Sequence, residues 1–164
     1  MMDFWCQVRW ETNVGNGVCG VQFDRKDIEM NKVVASCLES QFHVFDARTQ
    51  HITRGFASVA EKTVAGATIW SNQHLPQNRD ISMVCAGDGT LHMYKYHYPA
   101  KRRTKDPDGN WVGCAGTLEL VNSRNLSTQP IGSFDWHPDK AGLFVCSAFD
   151  QHVRVGMVTR VNTL

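Results

Sequence analysis

Seven histidines, six cysteines and sixteen carboxylates are the raw material for chemistry in this 164-residue chain. Their spacing decides how much of it can be used. His51, His74, His97 and His137 fall at expected turns or strand ends, and no H-x-x-H or H-x-x-x-H pair exists to hold a metal from one face of an element. His43, His92 and His152 lie in or beside expected strands, at positions that do not match one another, and read as half-exposed strand residues. No two cysteines stand at C-x-x-C spacing. Cys37, Cys85 and Cys146 sit inside apolar runs, where a thiol serves as a small buried hydrophobe. Ser36 and Ser147 occupy equivalent places, which argues for a structural role, because a nucleophile is not needed twice. No G-x-S-x-G, phosphate loop or dinucleotide fingerprint occurs, and Gly87-Asp88-Gly89 reads as a tight turn. The expectation is a protein with no catalytic residue, no metal and no cofactor, whose work is recognition.

What must position any recognition surface is a phrase that returns three times: GVCGVQFDRKDIEMNKVVASCLESQFHVFD (17–46), TIWSNQHLPQNRDISMVCAGDGTLHMYK (68–95) and PIGSFDWHPDKAGLFVCSAFDQHVRVGM (130–157). Such self-similarity fixes the architecture first. Each copy ends in an alternating strand, marked by Phe42 and Val44, Leu91 and Met93, and Val153 and Val155. Three residues before these anchors stand Glu39, Asp88 and Asp150. A carboxylate there accepts hydrogen bonds that a sharp turn leaves open. Before each acidic turn comes an apolar run: Val33 to Ala35, Met83 to Cys85, Leu143 to Cys146. These read as strands buried on both faces.

Strand-like pieces at 4–12, 52–59 and 117–126 bring each unit to four antiparallel strands, giving units of about 4–50, 51–98 and 115–161. Residues 60–67 and the polar stretch 99–114 read as loops. Within the second, Lys101, Arg102, Arg103 and Lys105 form a basic cluster read as a solvated loop, with a docking patch as the alternative. No helix is signalled, and the fold class is all-β. Apolar residues at 42%, charged residues at 20% and a net charge of +1 describe a globular chain with no reason to seek nucleic acid or a membrane. The N-terminus, with Asp3 and Arg9, does not read as a signal peptide, so the cytoplasm is the expected compartment.

Four-stranded units with an aromatic-Asp step such as Phe45-Asp46, the equivalent Tyr94-Lys95, and the phrase SFDWHPDKAGLFVCSAFDQHVRV resemble WD repeats, the blades of a β-propeller. A tighter likeness runs through RWETNVGNGVCGVQFDRKDIEMNKVVA, FHVFDARTQHITRGFASVAEK, HLPQNRD, LHMYKYHYP and LSTQPIGSFDWHPDK. These stretches resemble the C-terminal half of the Monad-type WD-repeat proteins, described as axonemal dynein assembly factors. The resemblance implies about three blades of a seven-bladed ring. It also implies an adaptor of the RuvB-like and prefoldin-like co-chaperone assembly, which helps mature dynein heavy chains. A propeller that reads a peptide, such as a modified histone tail, or an apoptosis-related adaptor, is the alternative.

Propellers dock partners where inner strands begin and where the next two strands turn. By alignment these positions are Gly17 and Cys19, Thr68 and Trp70, and Pro130 and Gly132, with Leu38, Gly87 and Phe149 in the turns. Large apolar residues exposed there are the expected anchors, so Trp70 and Phe149 lead, with Thr68 and Leu38 beside them.

Overall fold

In a computed structural model of the protein, which describes residues 10–24, 31–51, 53–63 and 66–164, those residues form thirteen strands and one short 3₁₀ turn, Val161–Thr163. The first sheet is β1 (Val18–Phe23), β2 (Lys32–Cys37), β3 (Gln41–His51) and β4 (Gly55–Lys62), antiparallel in that order. The second runs β5 (Ile69–Leu75), β6 (Asn78–Ala86), β7 (Thr90–His97) and, after an excursion, β10 (Thr117–Asn125). The excursion is a two-stranded ribbon of β8 (Arg103–Lys105) and β9 (Trp111–Gly113). The third sheet has β11 (Ile131–Trp136), β12 (Leu143–Ala148) and β13 (Val153–Met157).

The repeat register holds to the residue. Pairings Phe42 with Ser36, Leu91 with Cys85 and Val153 with Ser147 are equivalent. So is the left-handed backbone one residue past each acidic position, at Ser40 (φ 67°), Gly89 (φ 81°) and Gln151 (φ 69°).

Alternation then assigns the faces. In the first sheet Val34, Phe42 and Val44 turn toward the second and pack with Ile69, Val84, Tyr94 and Tyr96. In the second sheet the equivalent Met83, Leu91 and Met93 turn toward the third and pack with Ile131, Phe134, Trp136 and Phe144. The same positions in the third sheet, Val145, Val153 and Val155, face outward, with Val153 and Val155 each 74% exposed. At the other end, Val18, Val21 and Phe23 match Ile131, Phe134 and Trp136 yet stand exposed. Among the described residues each sheet is thus largely apolar on both faces, and the stack is a propeller segment of three blades with no described sheet beyond its first or third. That explains why Val153 and Val155, aligned by sequence with core residues, are not core here.

Several sequence expectations change in detail. β4 begins at Gly55 and continues to Lys62, through the start of the stretch read as a loop, because its residues pair with Gln41 through Asp46. The polar stretch 99–114 is not simply a loop but holds the β8–β9 ribbon. Of the strand expected at 4–12, residues 4–9 lie outside the described residues, and 10–12 are not strand.

A polar fastening joins the first two sheets. Lys32 is fully buried; its Nζ donates to Asp80 Oδ1 and to the Tyr98 hydroxyl, both at 2.7 Å, and lies 3.4 Å from the buried Asp24 carboxylate. Burial opposes the charge, but the bonds to Asp80 and Tyr98 outweigh it and hold the Lys32 pKa above its ordinary value. His74 lies beside this charge with both ring nitrogens buried and unpaired. Burial, then the Lys32 charge, pushes its pKa down to about 4.

Two outcomes follow. His74 is neutral in the fold and protonatable when unfolded, so below pH 6.5 the unfolded chain binds the extra proton. Stability should fall from pH 6.5 toward pH 4 by about 3 kcal/mol from this residue. Denaturant melts across that range should show the slope, and His74→Leu should flatten it. At Gly89 an added Cβ would lie 1.9 Å from the Ser127 carbonyl oxygen, at positive φ. Gly89→Ala should cost roughly 2–4 kcal/mol in the same melts.

A candidate protein-docking face

The turns between the second and third strands of each sheet lie beside the start of that sheet's first strand. One hydrogen bond recurs in all three: Leu38 N–H donates to Gly17 O at 2.8 Å, Gly87 N–H to Thr68 O at 2.8 Å, and Phe149 N–H to Pro130 O at 3.0 Å. The positions paired by sequence alignment are therefore paired by the backbone. Thr68 contributes its carbonyl, and its side chain is half-buried. Because the three turns point the same way, their side chains share one face of the molecule.

On that face Trp70 and Phe149 meet. They belong to different sheets, yet their rings stand 5.9 Å apart at 63°, an edge-to-face contact. Trp70 is 37% exposed and Phe149 62%. Glycines make room for both. A Cβ on Gly132 would stand 2.8 Å from Phe149 Cε1, and one on Gly87 would touch Trp70 Nε1 at 3.4 Å. Leu38, also exposed, covers Gly17 in the same manner on the first sheet.

The three turn acids differ. Asp88 Oδ1 accepts from Thr90 N–H at 3.0 Å, and Asp150 Oδ1 accepts from His152 N–H at 3.1 Å. Glu39 makes no equivalent bond among the described residues. It is exposed and itself at φ 62°, and its turn is tied instead through Thr63 N–H to Ser40 O at 2.9 Å. The backbone bond that Asp88 and Asp150 accept from the amide two residues on is therefore not repeated at Glu39, whose side chain is one methylene longer. Asp150 does most. Arg154 grips it through Nη1 and Nη2 of its guanidinium, and Ser127 Oγ donates to it at 2.7 Å. The Arg154 bond, with help from Ser127 and the His152 amide, holds its carboxyl well below the usual carboxylate range. Sequence reading missed Ser127 and Arg154; Arg154, four residues after Asp150, was the available signal.

The arrangement offers contact area and fixed charge. Cys85, among the expected buried thiols, has its pKa pushed up to about 12 by burial, which makes it a poor nucleophile. Among the described residues no three His, Cys, Asp or Glu side chains gather at metal distance.

Over 156 residues, 95% of its length, the chain is 67% identical to a Chlamydomonas reinhardtii protein named Dynein axonemal assembly factor 10. It is 60% identical to the Xenopus laevis protein of that name and 57% to the Homo sapiens one, each over 157 residues. Along nearly its whole length the chain is thus similar to proteins of that name. It spans 44% of the length of these relatives. No family model matches it. Among solved structures, the β-propeller domain of Cps50 (Swd1) from Myceliophteria thermophila overlays with a TM-score of 0.45 at 14% identity, over 88% of this chain and 55% of that one. An overlay that loose carries no argument, and the fold rests on the sheets themselves.

The edge-to-face contact should be measurable without any partner. In a double-mutant cycle, Trp70→Ala and Phe149→Ala should couple by about 0.5–1.5 kcal/mol. Independent effects would show that the rings do not touch in solution.

Proposed function

We propose that this chain is part of a non-catalytic scaffold for axonemal dynein assembly, and that it docks protein partners on the turn face around Trp70 and Phe149. The observation that carries the reading is the exposed aromatic pair. It is built across two sheets of a chain more than half identical to proteins named Dynein axonemal assembly factor 10. Exposed, rigidly seated aromatic rings are the side chains that dominate binding energy at protein interfaces. The partners best suited to that role are the RuvB-like ATPase and prefoldin-like co-chaperone assembly and the dynein heavy chains it matures, met in the cytoplasm.

The two exposed end faces fit the same reading. Val18, Val21 and Phe23 at one end, and Val145, Val153 and Val155 at the other, repeat positions that are buried wherever a neighbouring sheet exists. We assign them to packing against further blades of the longer scaffold, which leaves the turn face free for partners.

Capture of co-chaperone subunits and dynein heavy chains from ciliated cells by the full-length protein tests the assignment. Trp70→Ala and Phe149→Ala should each lower capture about tenfold or more while the protein still melts cooperatively, with at most a modest drop in Tm. Undiminished capture by both folded variants would remove the turn face from the account. Capture of chromatin proteins in place of dynein chains would overturn the scaffold reading itself.

A further inference from the structure

The β8–β9 ribbon is the part of the fold that neither the repeat nor the turn face uses. It leaves the opposite end of the second sheet, after His97, and lies back along the outer strands of the first. Its backbone is seated closely there: a Cβ on Gly113 would fall 2.6 Å from Thr49 Cβ. Cys114 N–H donates to Arg102 O at 2.8 Å, and Arg54 reaches Asp106 at 3.5 Å. The segment is a fixed ribbon rather than a solvated loop.

Its register sorts the side chains. Arg103 opposes Gly113, Thr104 opposes Val112, and Lys105 opposes Trp111, so Arg103, Lys105 and Trp111 share one face. All three are exposed, Trp111 by 58%, and Lys105 Nζ lies 5.3 Å from the Trp111 ring centroid. The density of cations sets this face apart, with four of them within residues 101–105. Lys32, Arg48, Arg54 and Arg154 each pair with a carboxylate. Lys101, Arg102, Arg103 and Lys105 pair with none among the described residues. Asp106, the nearest acid, is spent on Arg54 and on the Asn110 amide. Among the described residues β8 is also an open edge, with β9 as its sole strand neighbour.

We propose that this ribbon face is a second docking surface, taking an extended acidic segment of a partner protein. Unpaired cations on ordered backbone supply the complementary charge. The free edge of β8 supplies main-chain hydrogen bonds for an added strand. Trp111 supplies an apolar stop for one side chain of that strand. A nucleic-acid site would need a longer basic track with several stacking rings, and this face has one ring and a three-residue strand.

The test uses the full-length protein and a labelled peptide of alternating Glu and Val carrying one Phe, read by fluorescence anisotropy. Its Gln-for-Glu counterpart and a thymidine oligonucleotide serve as comparisons. The acidic peptide should bind, more weakly as salt rises, and the Gln peptide should not. R103E/K105E should weaken binding about tenfold or more, and Trp111→Ala several-fold. These side chains are exposed, so melts should stay near the parent, and Lys101→Glu, outside the ribbon, gives an independent reading of charge. Absent binding, or equal binding by the charge-reversed protein, would overturn the proposal and leave the cations as guards of an open strand edge. Tighter binding of the oligonucleotide would replace the acidic segment with nucleic acid.

Discussion

The packing of one sheet flat against the next is the constraint on which the rest of this molecule depends. A strand alternates its side chains between two faces, so a sheet with a neighbour on each side must be apolar on both. Ile131, Phe134 and Trp136 meet Met83, Leu91 and Met93 at one such contact, while Ile69, Val84 and Tyr94 meet Val34, Phe42 and Val44 at the other. At about 1.5–3 kcal/mol for each large buried side chain, these contacts dominate the energetics. The Lys32 cluster is of another kind. A buried ion pair gains little over an apolar substitute, yet losing one partner would cost about 3–5 kcal/mol. It fixes how the first two sheets align more than how strongly they adhere.

The turn face is a product of that stacking. Trp70 begins a strand of the second sheet and Phe149 belongs to a turn of the third, seventy-nine positions later in sequence. Only the regular step from sheet to sheet brings their rings within 5.9 Å. The polar ties across the same boundaries serve the same alignment: Trp136 Nε1–H donates to Gln73 O at 3.2 Å, and His74 N–H donates to Gln22 Oε1 at 2.7 Å.

Much of this was legible in the sequence because the repeat carries its own register. Matching acids at Glu39, Asp88 and Asp150 fixed which residues are equivalent, and the hydrogen bonds Leu38–Gly17, Gly87–Thr68 and Phe149–Pro130 follow that alignment. What stayed hidden depends on neighbours the local pattern does not name. Val153 looks like Phe42 in sequence, and its exposure is decided by what lies across from it. The ribbon at 103–113 was masked by its charge, since alternation in a three-residue strand is too short to see. Lys32, Asp24, Asp80 and Tyr98 come from four separate segments, and no spacing announces such a cluster. Glu39 matches Asp88 and Asp150 in charge but not in length, and the backbone bond those aspartates accept is not repeated there.

Hydrogen exchange on the full-length protein, alone and mixed with the co-chaperone and dynein chains proposed as its partners, tests the central claim most directly. The account predicts added protection in the three turns, around residues 38–40, 87–89 and 149–151, together with the strand starts at 68–70 and 130–132. Protection confined to other surfaces, with these turns exchanging as fast as in the free protein, would contradict it.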